Sequence, residues 1–594
     1  MDDCTPFSFC KQKEQVRHNS IQKQKRLTMK INYKIFVAIA LFFVASSCDD
    51  MFDLDINTDP NNPAQASNNL LLTQSEYTLL NNLAGGVNNN QMGFMGIIGS
   101  GDSWNLAQSS YNGFWTDMYT GPLKDLDGLI AANTGATGSP QYLGIAQLLK
   151  AYGYATLVDL FGDVPFSEAA KGDAADKIIN AKFDDDAAVY AECLKLIDEG
   201  IKNVNTVFRP LPITGDIIYN GNTERWAKFG KSLRMKMLLN TRLVNTNAKA
   251  DIQALITENK MIAADVEDFT LQFSRTFSSA FDPRHPWYRA SYTGPNGFTY
   301  VLHQPIAEML VDKDPRISYY FRRQTKVVLN QADPSDRNTT PCSQVATCQY
   351  GYFVLSPTLP QQLYSTATLT TPQKDYLAGF FGRDRADPSG VPLDGGFRTM
   401  PGVYPAGGFF DVTAPGASTT GNANSAPGGG IFPAITSVNV LYYQIEAILA
   451  LDVSGDAKAL FEKAMRDHIK KVVDFGARTD ANSTRPPYTR PDGVQVDIDS
   501  YVNLWLKRFD DAPSVDAKIN VVLKQLWFSS WGNGYDIYNA FRRTGFPNTT
   551  QIPILTPRKF PLRLPYPQDE LTVNTNAAAL KDVIYDRDAI FWDK

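Results

Sequence analysis

Residues 141–169 read QYLGIAQLLKAYGYATLVDLFGDVPFSEA, and the fold class turns on how they are read. Ile145, Leu148, Leu149, Tyr152, Ala155 and Thr156 recur at i, i+3, i+4 and i+7, which predicts an amphipathic helix over Gln141–Leu160. Gly162 suits its C-cap, Pro165 bars continuation, and Asp163 can bond nearby backbone amides. The stretch FGDVP has the look of a catalytic aspartate motif, yet those three roles make it a helix-ending device.

The same period recurs outward from this segment. Trp226, Phe229, Leu233 and Met237 predict a helix over Glu224–Leu243. Val438–Leu451 and Asp456–Phe475 read as two helices joined by the turn Asp452–Gly455, with Asp456 as the N-cap of the second. Small residues at Ala447, Ala450 and Ala464 let that pair approach closely, as in a tetratricopeptide-type hairpin. Ala187–Ile201, with Cys193 as a buried small hydrophobe, and Val515–Trp531 complete the strong patterns. Between them lie irregular stretches rich in Pro, Gly, Asn and Thr. The largest runs from about residue 332 to 434 and includes the low-complexity Val412–Gly430. The expected architecture is mostly α, a helical scaffold carrying a loop-rich lobe where binding would sit.

Composition narrows function further. Of 594 residues, 57 are Lys or Arg and 62 Asp or Glu, a formal net charge of −5. That balance excludes a disordered polyelectrolyte and gives a nucleic-acid binder no basic excess to work with. Four histidines disfavour a zinc hydrolase, whereas 27 Tyr, 34 Phe and 8 Trp favour aromatic recognition. Lys30 and Lys34 precede the apolar run Ile35–Ala45, a secretory signal too short for the roughly 20 residues of a membrane span. Its ending, Val44-Ala45-Ser46-Ser47-Cys48, resembles the lipobox of bacterial lipoproteins, which makes Cys48 the lipidated N-terminus and 29–47 the signal peptide. Residues 1–28, before Met29, read as an upstream extension beyond the true start. Eight Lys/Arg against three acids give residues 1–47 a charge of +5, which leaves −10 on the rest. Such an acidic surface avoids anionic headgroups, so the lipid must do the anchoring. Asp49-Asp50-Met51-Phe52-Asp53 resembles the surface-export signal of Bacteroidetes lipoproteins, with an ordinary acidic linker as the competing reading. Cys342 and Cys348 can pair in an oxidising compartment, and no cysteine set has zinc-site spacing.

Several segments resemble one family when taken in order. They are the small-to-Cys signal, Leu157–Ala169, Asp314-Pro315-Arg316, Phe381-Gly382-Arg383-Asp384 through Gly402–Gly408, Arg542–Pro547, and Pro557–Pro561 with Leu564–Pro567. Together they resemble the SusD/RagB outer-membrane lipoproteins of Bacteroidetes, in particular the second SusD-like subgroup, across roughly residues 48–594. The resemblance implies a tetratricopeptide-like α-helical superhelix of about four helix pairs with a variable lobe. It implies a surface lid over a SusC-type TonB-dependent transporter that captures glycans or peptides, with no enzymatic activity and no cofactor. Ligand residues vary within the family, so none is carried over.

Candidate ligand residues follow instead from the chemistry of sugars, whose C–H faces pack on aromatic rings and whose hydroxyls seek planar polar partners. Aromatics in polar loops meet that need: Trp104 with Asn105, and Trp287, Tyr288 and Arg289 followed by Tyr292. The competing reading is loop aromatics that cap the scaffold's core. Trp115, Trp226, Trp527 and Trp531 lie on helical patterns and read as core. Arg542-Arg543 reads as an ion-pair anchor. Asp384, Asp387, Asp394 and Asp411 can supply oxygens to a calcium ion, though without EF-hand spacing. His285, His303 and His468 share no metal-binding spacing. The leading function is a surface nutrient receptor. The runner-up is a helical glycoside hydrolase, which needs two carboxylates about 5–9.5 Å apart, and the third reading is an assembly factor without a small ligand.

Overall fold

Residues 140–161 form one 22-residue helix in the computed structural model. Ser139 caps it by accepting from the Tyr142 amide, Pro140 occupies the first turn, and Gly162 ends it at φ 81°. A Cβ at Gly162 would meet the Arg563 guanidinium at 2.8 Å, so close packing reinforces the choice of glycine. The expected amphipathicity is where structure and sequence part. Every residue from 151 to 161 is buried, as befits a helix surrounded on all sides by protein. Among its polar members, Asp159 accepts from Asn539 (2.7 Å) and from the Trp592 indole (3.0 Å) and Thr156 donates to the Tyr152 carbonyl (2.8 Å), whereas the Tyr154 hydroxyl is buried without a hydrogen-bond partner among the described residues.

The structure describes residues 66–593 except 101–103, 105, 173–176, 208–211, 279–280, 294–298, 325–379, 381, 384, 387–397, 412–427, 480–494, 552 and 554–558. Cys48, Cys342 and Cys348, Asn105, and Asp384, Asp387 and Asp394 lie outside the described residues, as does most of the low-complexity stretch. The longer helices are α1 (Asn68–Leu83), α2 (Gly86–Phe94), α3 (Asn112–Thr120), α4 (Pro122–Asn133), α5 (Pro140–Phe161), α6 (Asp186–Val204), α7 (Thr223–Asn240) and α8 (Ala248–Glu258). They continue as α9 (Pro286–Tyr292), α10 (His303–Asp312), α11 (Ser437–Leu451), α12 (Ala457–Thr479), α13 (Ile498–Asp511), α14 (Val515–Ser529) and α15 (Tyr535–Thr544). Consecutive helices pack as pairs, α5 on α6, α7 on α8, α11 on α12 and α13 on α14, so the chain is a mostly helical, tetratricopeptide-like array. Glycines set the α5–α6 approach. A Cβ at Gly144 would lie 2.7 Å from the Gly200 carbonyl oxygen, and one at Gly200 would lie 2.8 Å from Leu148.

Among the described residues, three two-stranded antiparallel ribbons accompany the helices. They are β1 (Ile98–Ser100) with β3 (Thr299–Val301), β2 (Phe269–Gln272) with β6 (Ile431–Ile435), and β4 (Phe321–Arg322) with β5 (Met400–Pro401). In the β2–β6 ribbon Phe269 faces Ile435 and Gln272 faces Ile431, so the chain leaves β2 beside the segment that returns at Gly428–Gly430. The expected helix caps hold. Asp456 accepts from the Ala459 amide at 3.0 Å, and Asp163 accepts from the Asp186 amide at 2.9 Å. Arg543 is the anchor expected, bonded to both oxygens of the buried Glu446. Cys193, Trp115, Trp226, Trp527 and Trp531 are all buried core.

Candidate glycan-binding cleft

After β2, in the described part of the segment from Phe273 to His285, the Ser274 amide donates to the Pro283 carbonyl and Ser278 and Phe281 exchange amide bonds. Asp282 stiffens the base of this segment. One carboxylate oxygen accepts from Arg284 N and Nε (3.1 and 2.8 Å), the other from Nη2 (2.7 Å). That hydrogen-bonded guanidinium holds the Asp282 carboxyl below its ordinary range. His285 then caps α9, its Nδ1 accepting from the Trp287 amide at 3.1 Å. Two rings of this segment face solvent: Phe277 is 61% exposed and Phe281 55%. The Arg284 guanidinium covers the Phe277 ring at 4.0 Å, and Phe281 meets the Tyr77 ring edge-on at 5.9 Å. Burying either ring against a partner would be worth about 1.5–3 kcal/mol.

A cleft of about 510 Å³ adjoins the loop, within the range of small-ligand sites. Its walls are the end of α1 (Asn81, Asn82), the start of α2, Asn90, Phe114 and Asp117 of α3, and Pro286 and Arg289 of α9. Three successive asparagines of α2 assemble it. Asn88 bonds Gly532 and Gly534, docking α2 to the end of α14; Asn89 accepts from the Trp287 indole at 2.6 Å, docking α9; Asn90 donates to Tyr111 at the cleft. Arg289 links cleft and loop, since its Nη1 donates to the Asp282 carbonyl at 3.2 Å. Exposed rings beside amides and a guanidinium can hold a sugar chain by its faces and its hydroxyls together. Asp117 is the one carboxylate among the cleft's lining residues, so the pair of acids a glycosidase requires is not assembled there.

Residues 60–344 match a family model described as "Starch-binding associating with outer membrane". Residues 432–589 match a second one, "Susd and RagB outer membrane lipoprotein". The chain belongs to the SusD/RagB family. Solved structures agree on the fold of this SusD/RagB chain. A chitin-binding protein superposes with a TM-score of 0.62 at 17% identity, covering 89% of this chain and 100% of its own. A SusD homologue from Bacteroides fragilis gives 0.60 at 19% identity, covering 89% and 100%. A SusD homologue from Bacteroides uniformis gives 0.57 at 16% identity, covering 89% and 99%. No curated protein matches the chain. Members of this SusD/RagB family are outer-membrane-associated binding proteins. Among the described residues no helix is long and apolar enough to cross a membrane.

The SusD/RagB chain places most of the expected ligand aromatics elsewhere than in a binding face. Trp104 is 6% exposed, edge-on to Phe94 at 5.4 Å and covered by Arg385. Trp287 is 1% exposed, wedged against Trp531 at 5.5 Å. Tyr288 and Tyr292 are buried and stack on each other at 5.1 Å, and the Tyr292 hydroxyl donates to the Pro401 carbonyl. These rings cap the scaffold, because Pro286 and the Asn89–Trp287 bond turn α9 inward. Arg289, of the same expected set, does reach the cleft. Asp411, expected among calcium ligands, is buried in an ion pair with Arg323 at 2.8 Å. Phe277 and Phe281 were legible by the same criterion as the tryptophans, since Thr276–Pro283 reads TFSSAFDP. Asn81, Asn82, Asn90 and Asp117 carry no local signal.

The three expected lone histidines are core residues. Burial lowers His285, with Arg289 adding to the effect, and burial lowers His303, each to about 3; His468 is also driven well below its ordinary value by burial and Arg316. Each is neutral in the fold and protonated in the unfolded chain below about pH 6.5, so its contribution to stability falls as pH drops from about 6.5 towards 3. Their ring carbon-bound proton resonances are expected to stay flat between pH 8 and 4.5 by NMR of histidine-labelled protein. A mid-range titration of any of the three would contradict the burial.

Proposed function

We propose that this SusD/RagB chain is a cell-surface lipoprotein that captures glycan across Phe277 and Phe281 and in the adjoining cleft. The observation that carries the reading is the pair of rings, each more than half exposed, beside a 510 Å³ cleft walled by amides and Arg289. Rings receive the C–H faces of pyranoses, and amides receive the hydroxyls. In this reading the signal peptide, residues 29–47, is removed and Cys48 carries the lipid that holds the protein at the outer membrane. The chain serves as the lid of a SusC-type TonB-dependent transporter, binding cargo without turning it over and using no cofactor. The family descriptions support the nutrient-binding and membrane parts of this reading.

Calorimetric titration of the purified protein against oligosaccharides and oligopeptides tests it. The double variant Phe277→Ala/Phe281→Ala is expected to bind the recognised glycan about 30-fold more weakly or worse, about 2 kcal/mol, with the ligand recovered intact. Unchanged affinity in that variant, binding confined to peptides, or cleavage of the ligand would each overturn the assignment.

A further inference from the structure

Charge at the cleft says more about the cargo, on the assumption that the glycan reading above holds. Two arginines sit five residues apart around α9 and are treated differently. Arg284 is neutralised: its Nε and Nη2 take one oxygen each of the Asp282 carboxylate. Both oxygens of Asp282 are thereby engaged; Arg289 bonds the main-chain carbonyl of that residue, at 3.2 Å from Nη1, and acts on its carboxylate only at longer range. No carboxylate among the described residues lies within salt-bridge distance of Arg289. A guanidinium offers five N–H donors in a planar fork that matches a carboxylate. Arg289 is thus held in place by one donor while its charge remains unpaired on the wall of the cleft. Asn81, Asn82 and Asn90 add amides to the same wall, while Gly85 and Gly86 leave it bare of side chains. Asp117, exposed on α3, is the one lining acid, and a surface charge of that kind is weakened by solvent.

We propose that the cleft selects glycans that carry carboxylates, with a uronic-acid residue read bidentately by Arg289. A carboxylate supplies the partner that the fold withholds from this arginine, and bidentate charge-assisted bonds are stronger than those a neutral hydroxyl can give. The exposed rings and the amides favour a sugar as the bearer of the charge over a peptide terminus.

The test is titration of the purified protein with oligogalacturonate, oligomannuronate and hyaluronan fragments. Each is paired with its carboxyl-reduced neutral counterpart, and acidic peptides are run alongside. At least one acid oligosaccharide is expected to bind about tenfold or more tightly than its reduced partner. Arg289→Gln should bring the affinity ratio of acid to reduced form close to one, whatever it does to the binding of both forms through the lost cleft wall. Asp117→Asn should tighten the acid form about two- to threefold relative to the neutral form. Equal binding of acid and reduced forms, or a preference for neutral glycans that Phe277→Ala/Phe281→Ala still abolishes, overturns the charge selectivity while the glycan reading survives. Binding of peptides only, indifferent to the two phenylalanines, overturns both.

Discussion

Arg543→Ala is expected to lower the unfolding free energy by about 3–5 kcal/mol, the cost of leaving a buried charge without its partner. Arg543 is only 6% exposed. Its Nε and Nη2 donate to the two oxygens of Glu446 at 2.7 and 2.6 Å, and its Nη1 donates to Asn240 at 2.9 Å. One side chain of α15 thereby ties α11 to α7. Glu446, 1% exposed, would keep its negative charge with Arg242, 3.4 Å away, as its remaining cation. The midpoint of urea unfolding, compared with that of Glu446→Gln and the double variant, measures the coupling. A loss below about 1 kcal/mol would show that Arg242 closes on Glu446 and replaces the missing guanidinium.

Gly144→Val is expected to cost about 3 kcal/mol, at the upper end for overpacking, because the obstruction is backbone. The first added carbon would lie 2.7 Å from both the Gly200 carbonyl oxygen and the Val204 nitrogen, and 2.8 Å from a Val204 methyl. The nearest atoms belong to a helix main chain, which cannot rotate aside as a side chain can. The α5–α6 pair would have to separate, and with it the support for Gly230 of α7, whose own Cβ position faces Ile201 and Leu148. Gly128→Ala is the control. That site is an exposed turn of α4 with nothing within 4 Å, so the change should stabilise by about 0.5–1 kcal/mol. Thermal denaturation of the two variants separates crowding from intrinsic helix propensity.

Helices were the legible part of this chain, because a strict 3.6-residue apolar period survives whatever packs against it. Gln141–Leu160 and Ala187–Ile201 differ from α5 and α6 by a few residues at most, and the Asp452–Gly455 turn lies where the pattern breaks. The surroundings of α5 were not legible. Its polar residues looked like a solvated face, yet Asp159 is buried among partners that lie hundreds of positions away. The cleft was hidden for the same reason: Asn81 and Asn90 meet Arg289 only because Asn89 takes the Trp287 indole, a contact across 198 positions. Local composition pointed correctly to aromatics in polar loops, but not to which rings face outward. Trp287 and Phe281 have similar polar neighbours in sequence. A proline and one side-chain hydrogen bond send the first into the core, while the second, its backbone bonded to Ser278, stays in solvent.

The partners of Asp159 also bear on how the molecule comes into being. Asn539 and Trp592 reach it across 380 and 433 positions, whereas a polypeptide is built from its N-terminus. Helix α5 is therefore synthesised long before the groups that cover its far end exist. Such distant closures are slow to form, and until residues 539 and 592 emerge Asp159 lacks two of the partners it has in the folded chain. The seal on α5 is thus a late event in synthesis, and a substitution at Asn539 or Trp592 would open the far end of a helix made hundreds of residues earlier.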